Sequence, residues 1–199
     1  HIMQALAESS GVDKKSGGAT RQALWSRLEK LAQQAGPGAG GSGDNEAKLS
    51  RLYNLGWVMT RYEEDNRALP LLKEAASGLK NKDMLEEARF TLFEANLELG
   101  SWIEAEKLWP QARTRLTPAE EPVWLSKIAV AAARSGKYED ALRLWKEKDR
   151  LDKTCLGPLS ELAAQGAKMK KPLLDYYLAM QRENPGSTIP KEARKILEK

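Results

Sequence analysis

The chain has 199 residues, 41% hydrophobic and 30% charged, proportions that suit one soluble, core-forming domain with an appendage. Its 32 basic and 28 acidic residues are interspersed and leave a net charge of +4, too weak and too mixed for the basic face of a nucleic-acid binder. Cys155 is the only cysteine, which excludes an internal disulfide, and no apolar run approaches the roughly 20 residues that span a bilayer.

His1-Ile2-Met3 reads as a cloning remnant, which leaves localisation open between cytoplasm and periplasm. The first predicted element is a helix over 20–35, begun by Thr20 and stopped by Gly36-Pro37. Leu24, Leu28, Leu31 and Ala35 recur on one apolar stripe, with Trp25 and Ala32 beside it. Residues 36–44 hold five glycines in nine positions and read as a flexible linker, for glycine forfeits too much backbone entropy to hold regular structure there. That composition suits an engineered join and a natural low-complexity linker equally. The chain thus divides into an N-terminal segment (1–35), a linker (36–44) and a helical domain (45–199).

From residue 45 onward the apolar spacing is helical throughout, with no half-buried strand pattern. Helices are predicted over 45–62, 66–79, 83–99, 102–115, 119–135, 138–149, 158–166, 171–183 and 190–198. Short connections between them make successive helices antiparallel neighbours. The fold class is therefore all-α.

Within this region the sequence repeats itself. Gly100, Trp102, Ala105 and Trp109 match Gly136, Tyr138, Ala141 and Trp145, 36 residues later. Upstream, Leu55-Gly56 is followed by Ala68, Leu72 and Ala75. Downstream, Gly166 is followed by Pro172, Tyr176, Ala179 and Asn184-Pro185-Gly186. This pattern resembles the tetratricopeptide-repeat family, whose period is about 34 residues. The resemblance covers about residues 47–199 and is tightest in the two central copies. It implies a right-handed solenoid of antiparallel helix pairs, about four repeats long, closed by a cap helix over 191–199. Small residues such as Gly56, Ala105, Ala129 and Ala141 would let paired helices approach, and Trp109 and Trp145 would fill the space between pairs. The glycines at 100 and 136 would supply left-handed turns. The first copy departs from the pattern with Glu63 in place of its turn glycine, and the second with Phe93 where a small residue is usual.

Enzyme chemistry finds little support. His1 is the only histidine, so Ser-His-Asp and Cys-His arrangements are missing, as are a Cys/His zinc cluster and a phosphate-binding loop. No catalytic residue, metal or cofactor is expected. Cys155 reads as an inert, partly buried thiol, and Lys168-Met169-Lys170-Lys171 as a solvated basic turn.

The resemblance points instead to a protein or peptide partner held in a concave groove, as in the scaffolds and adaptors of the family, which include components of bacterial envelope assembly. It places the groove on the first helix of each pair: Tyr53, Trp57, Thr60 and Arg61 from the first copy, Phe90, Glu94, Leu97 and Glu98 from the second, and Val130, Ala133 and Arg134 from the third. So apolar a strip is read as a binding site, its alternative being core in a tightly coiled array. Chaperone-tail binders of the family clamp a carboxylate with Lys and Asn where this chain has Tyr53 and Trp57, so that ligand class is not expected. Direct membrane contact is not expected either. The ligand expected is an apolar or amphipathic helix, and the 20–35 segment is itself a candidate, docking through Leu24, Trp25, Leu28 and Leu31. Its alternative position is as a cap on the outer end of the first repeat. A homo-oligomer assembled through the repeat ends is the second functional reading.

Overall fold

Where a turn between two helices passes through positive φ, a side chain costs about 1–2 kcal/mol that glycine avoids. In a computed structural model of the chain, which describes residues 17–34, 42–148 and 151–199, four residues take that conformation. They are Glu63 (φ 60°), Gly100 (69°), Gly136 (75°) and Gly166 (108°). Each joins two helices. The turn therefore forms even in the copy without a glycine, and Glu63 carries its strain.

Ten α-helices and no strand occur among the described residues. In chain order they are α1 (Gly17–Gln33), α2 (Ser42–Arg61), α3 (Asp65–Gly78), α4 (Lys82–Glu98) and α5 (Trp102–Ala112), then α6 (Glu121–Arg134), α7 (Tyr138–Lys148), α8 (Leu156–Ala163), α9 (Ala167–Glu183) and α10 (Ile189–Leu197). Single 3-10 turns, Arg113–Arg115 and Lys153–Cys155, follow α5 and precede α8. Each helix packs on the next except α7, which packs on α6 and α9 instead of α8, and α2, α4, α6 and α8 also touch in sequence, so these four lie side by side. The result is an all-helical arrangement of packed helix pairs, compatible with a helical repeat. No helix among the described residues is long and apolar enough to cross a membrane.

The packing follows residue size. A Cβ built on Gly56 would lie 2.8 Å from the Leu72 side chain, so α2 and α3 approach as closely as they do only because that position has none. Ala68, Ala105 and Ala141 are fully buried at the same place on α3, α5 and α7. Four residues further on, Leu72, Trp109 and Trp145 fill the interior, the two indoles only 5% and 2% exposed. Phe93, instead of forcing the helices apart, lies between the rings of Trp109 and Trp124, with centroids 5.9 and 5.7 Å away. Polar ties add to this. The Glu46 carboxylate on α2 accepts from the Lys80 and Asn81 backbone N–H groups, and those bonds hold it below the usual carboxylate range. Arg143 on α7 pairs with Glu106 on α5 at 2.9 Å.

Three expectations need correction. Helix α2 begins at Ser42, inside the stretch read as linker, and so takes Gly43 into its first turn. Residues 35–41 lie outside the described residues. Helix α9 begins at Ala167 rather than 171, so that Pro172 lies within it instead of opening it; Gly166, with its positive φ, starts the helix a turn early. Finally, α8 starts at Leu156, two residues before the expected start at Pro158. At the far end α10 buries Ile189, Pro190, Ala193 and Leu197 against α8 and α9, where the cap helix was expected.

Helix α1 packs chiefly on α2, and its buried stripe is rotated by one residue from the expected one. Trp25 is fully buried, Ala32 nearly so and Leu28 partly, whereas Leu31 is 48% exposed and Leu24 only half-buried. Ala35 lies outside the described residues. The physical reason is size and pairing: an indole buries more apolar surface than any leucine. This rotation also aims Glu29 at Arg67 on α3, which donates to both of its carboxylate oxygens at 2.9 and 3.0 Å. Trp25 meets the Tyr62 ring edge-on at 6.0 Å, and Arg21 pairs with Glu64 at 3.1 Å. The helix thus sits against the first hairpin and its turn.

Candidate peptide-binding groove

The exposed faces of α2, α4 and α6 adjoin because those helices lie side by side, and three cavities run along them. The largest, about 360 Å³, is lined by Tyr53, Trp57 and Arg61 of α2, Phe90 and Glu94 of α4, and Trp124 of α6. A second, about 340 Å³, shares Arg61 and Glu94 and adds Thr60, Glu98, Glu63 and Asp65. The third, about 140 Å³, shares Glu98 and adds Leu97, Val130, Arg134 and Glu161. Through these shared walls the three cavities adjoin along one face of the stack. Tyr53, Trp57, Thr60, Arg61, Phe90, Glu94, Leu97, Glu98, Val130 and Arg134 are thereby brought together on it. Ala133 is not among them and is buried in the core.

These cavities have an aromatic floor with charged walls. Trp57 is 41% exposed, and the Arg61 guanidinium lies over its ring at 5.2 Å. Phe90 meets Trp124 edge-on at 5.2 Å, and the Lys127 ammonium sits 3.8 Å above the Trp124 ring. At one end, Tyr53 donates its hydroxyl to Glu87 at 2.8 Å, and Arg115 donates to the other oxygen at 3.1 Å. Burial, together with that carboxylate, pushes the Tyr53 hydroxyl up to about 12. The two donors hold Glu87 below the usual carboxylate range. Two turns further along α4, Glu94 behaves in the opposite way. It is half-buried, and burial pushes its carboxyl up against the pull of Arg61 and Lys127. Asp65 is raised too, by burial and then by Glu98 across the cavity.

Trp124, Lys127 and Ala131 line the cavities but were not among the expected residues. A signal for them exists. Tyr53, Phe90 and Lys127 are spaced by 37 residues, as are Trp57, Glu94 and Ala131, whereas the turn glycines at 100 and 136 are spaced by 36. Anchoring the third copy on its glycine sets its groove register one residue early.

None of the cavity-lining residues belongs to α1, so the docking helix expected in the groove lies elsewhere, on α2 and the α2–α3 turn. Its Trp25 and Leu28 bury against that hairpin, where Arg67 and Tyr62 offer partners that the groove lacks. No group of three or more His, Cys, Asp or Glu side chains that could hold a metal occurs among the described residues. Comparison of the chain with protein-family models, with curated proteins and with solved structures finds no match in any of the three.

Proposed function

We propose that the chain is a non-catalytic binding module of the tetratricopeptide type, a right-handed stack of about four helix pairs with α10 as its cap. In this reading it captures an amphipathic helical peptide in the groove of α2, α4 and α6. The observation that carries the reading is an exposed tryptophan, Trp57, in an aromatic cavity that the chain's own α1 leaves uncovered. A single exposed indole is ordinary, but one that adjoins further aromatic rings in a cleft is the arrangement of a partner's site. An all-helical domain offers no sheet edge to an extended strand, whereas a helix satisfies its own backbone and needs only an apolar trough.

The test is selection of a displayed library of helix-forming 16-residue peptides on the full chain. Binding of the selected peptides should be lost in Trp57→Ala, which keeps the parent melting temperature, and in Phe90→Ala, which is less stable but folded at the assay temperature. Selected peptides indifferent to both substitutions would overturn the reading. Concentration-dependent growth in light scattering that the same substitutions abolish would replace it with self-assembly.

A further inference from the structure

Every groove must supply partners for the polar groups its ligand covers, and an unpaired charge on its floor therefore describes the ligand. Glu94 is such a group. It stands where the two larger cavities meet and makes no hydrogen bond or ion pair among the described residues. The cations nearest to it are engaged otherwise: Arg61 with the Trp57 ring and Lys127 with the Trp124 ring. On the same helix Glu87 has both oxygens satisfied, by Tyr53 and Arg115. The chain thus completes one groove carboxylate and leaves the other open.

The surroundings of Glu94 tell the same story about sign. The cavity beside it is walled by Glu63, Asp65, Glu94 and Glu98 against a single guanidinium, Arg61. None of these four carboxylates has an ion-pair partner among the described residues. Burial works against ionisation of Glu94, so the charge costs the free protein stability instead of supplying it. A carboxyl that burial disfavours as a charge, set in a cleft, is a candidate functional position. No metal-holding cluster accompanies it among the described residues. What remains complementary is a cation on an alkyl stem, whose methylenes lie on aromatic rings while its head reaches the carboxylate.

Resting on the groove reading above, we propose that the partner is a basic amphipathic helix that seats a lysine or arginine against Glu94 and its apolar face on Trp57, Phe90 and Trp124. The flanking Asp65 and Glu98 receive a second basic residue about one turn away. Binding then relieves the free protein of its unpaired carboxylate, and so selects for charge as well as for shape.

The same displayed library of helix-forming 16-residue peptides, selected on the full chain, tests this separately from the groove itself. Selected peptides should carry Lys or Arg three or four positions from an aromatic or aliphatic residue. Glu94→Gln should weaken them about ten-fold or more without lowering the melting temperature. Replacing the peptide's basic residue with glutamine should produce the same loss, and the two losses should not add, since each removes one pair. Selected peptides that need Trp57 but bind Glu94→Gln as well as the parent would overturn the charge assignment while leaving the groove intact. Peptides indifferent to both residues, or no selection at all, would overturn both.

Discussion

Trp109 and Trp57 are the same side chain in two regions of one helix stack, and the difference between them separates what holds the fold from what the fold presents. Trp109 is on α5, 5% exposed, against the rings of Phe93 and its neighbours. Trp57 is on α2, 41% exposed, with only its own Arg61 above it. The carboxylates repeat this contrast: Glu106 and Glu29 are paired across helices, whereas Glu94 is not. On the groove itself the chain completes Glu87 and leaves Glu94 open.

The largest expected effect breaks the comparison open. Trp109→Ala or Trp145→Ala should cost about 3–5 kcal/mol in denaturant unfolding, the range for emptying a fully packed aromatic site. Trp57→Ala should stay within about 1 kcal/mol. Equal losses at Trp57 and Trp109 would place both in the core and remove the distinction. Next, Gly56→Ala should cost about 1–3 kcal/mol, because the new methyl would lie 2.8 Å from a fully buried Leu72. Gly100 offers the internal control, since a Cβ there meets nothing and only its positive φ opposes a side chain. Glu63→Gly should act in the opposite direction and raise stability by about 1 kcal/mol, for it removes a side chain from a left-handed position.

The smallest effect is a pH dependence, and it distinguishes the two carboxylates of α4. Glu94 is raised on folding, so its protonated form favours the folded state. Its contribution is fully present below its unfolded value near 4.5 and is lost as pH rises through the raised one. Glu87 is lowered, so its contribution is present above 4.5 and is lost as pH falls through the lowered value. Thermal melts between pH 3 and 8 should therefore change slope in opposite senses for Glu94→Gln and Glu87→Gln. Parallel curves would mean that the two groups share one environment.

Much of this was legible in the sequence, and the exceptions have physical causes. Turn glycines at 100 and 136 and the alanines at 105 and 141 declare themselves because sterics admits few substitutes there. All the expected groove positions but Ala133 line the adjoining cavities because helical periodicity carries a face over three turns. What failed is rotation and register. The stripe of α1 was read through Leu24 and Leu31, and the pairing that buries Trp25 instead depends on Tyr62 and Arg67, some 40 residues away in sequence. Trp124 was missed because one residue is lost between groove face and turn in the third helix pair, a deletion that the glycine spacing hides. The incomplete charge at Glu94 has no local signature at all, for a glutamate is unpaired only in relation to what surrounds it in space.

The central claim, that the groove and not the interior meets the partner, is tested most directly by fluorine NMR of the chain labelled with 5-fluorotryptophan. The six tryptophans divide into two on the groove, Trp57 and Trp124, and four buried within the stack, Trp25, Trp102, Trp109 and Trp145. Titration with a selected basic helical peptide should move the Trp57 and Trp124 resonances and leave the other four in place. Movement of Trp25 or Trp145 with Trp57 and Trp124 unmoved would contradict the account.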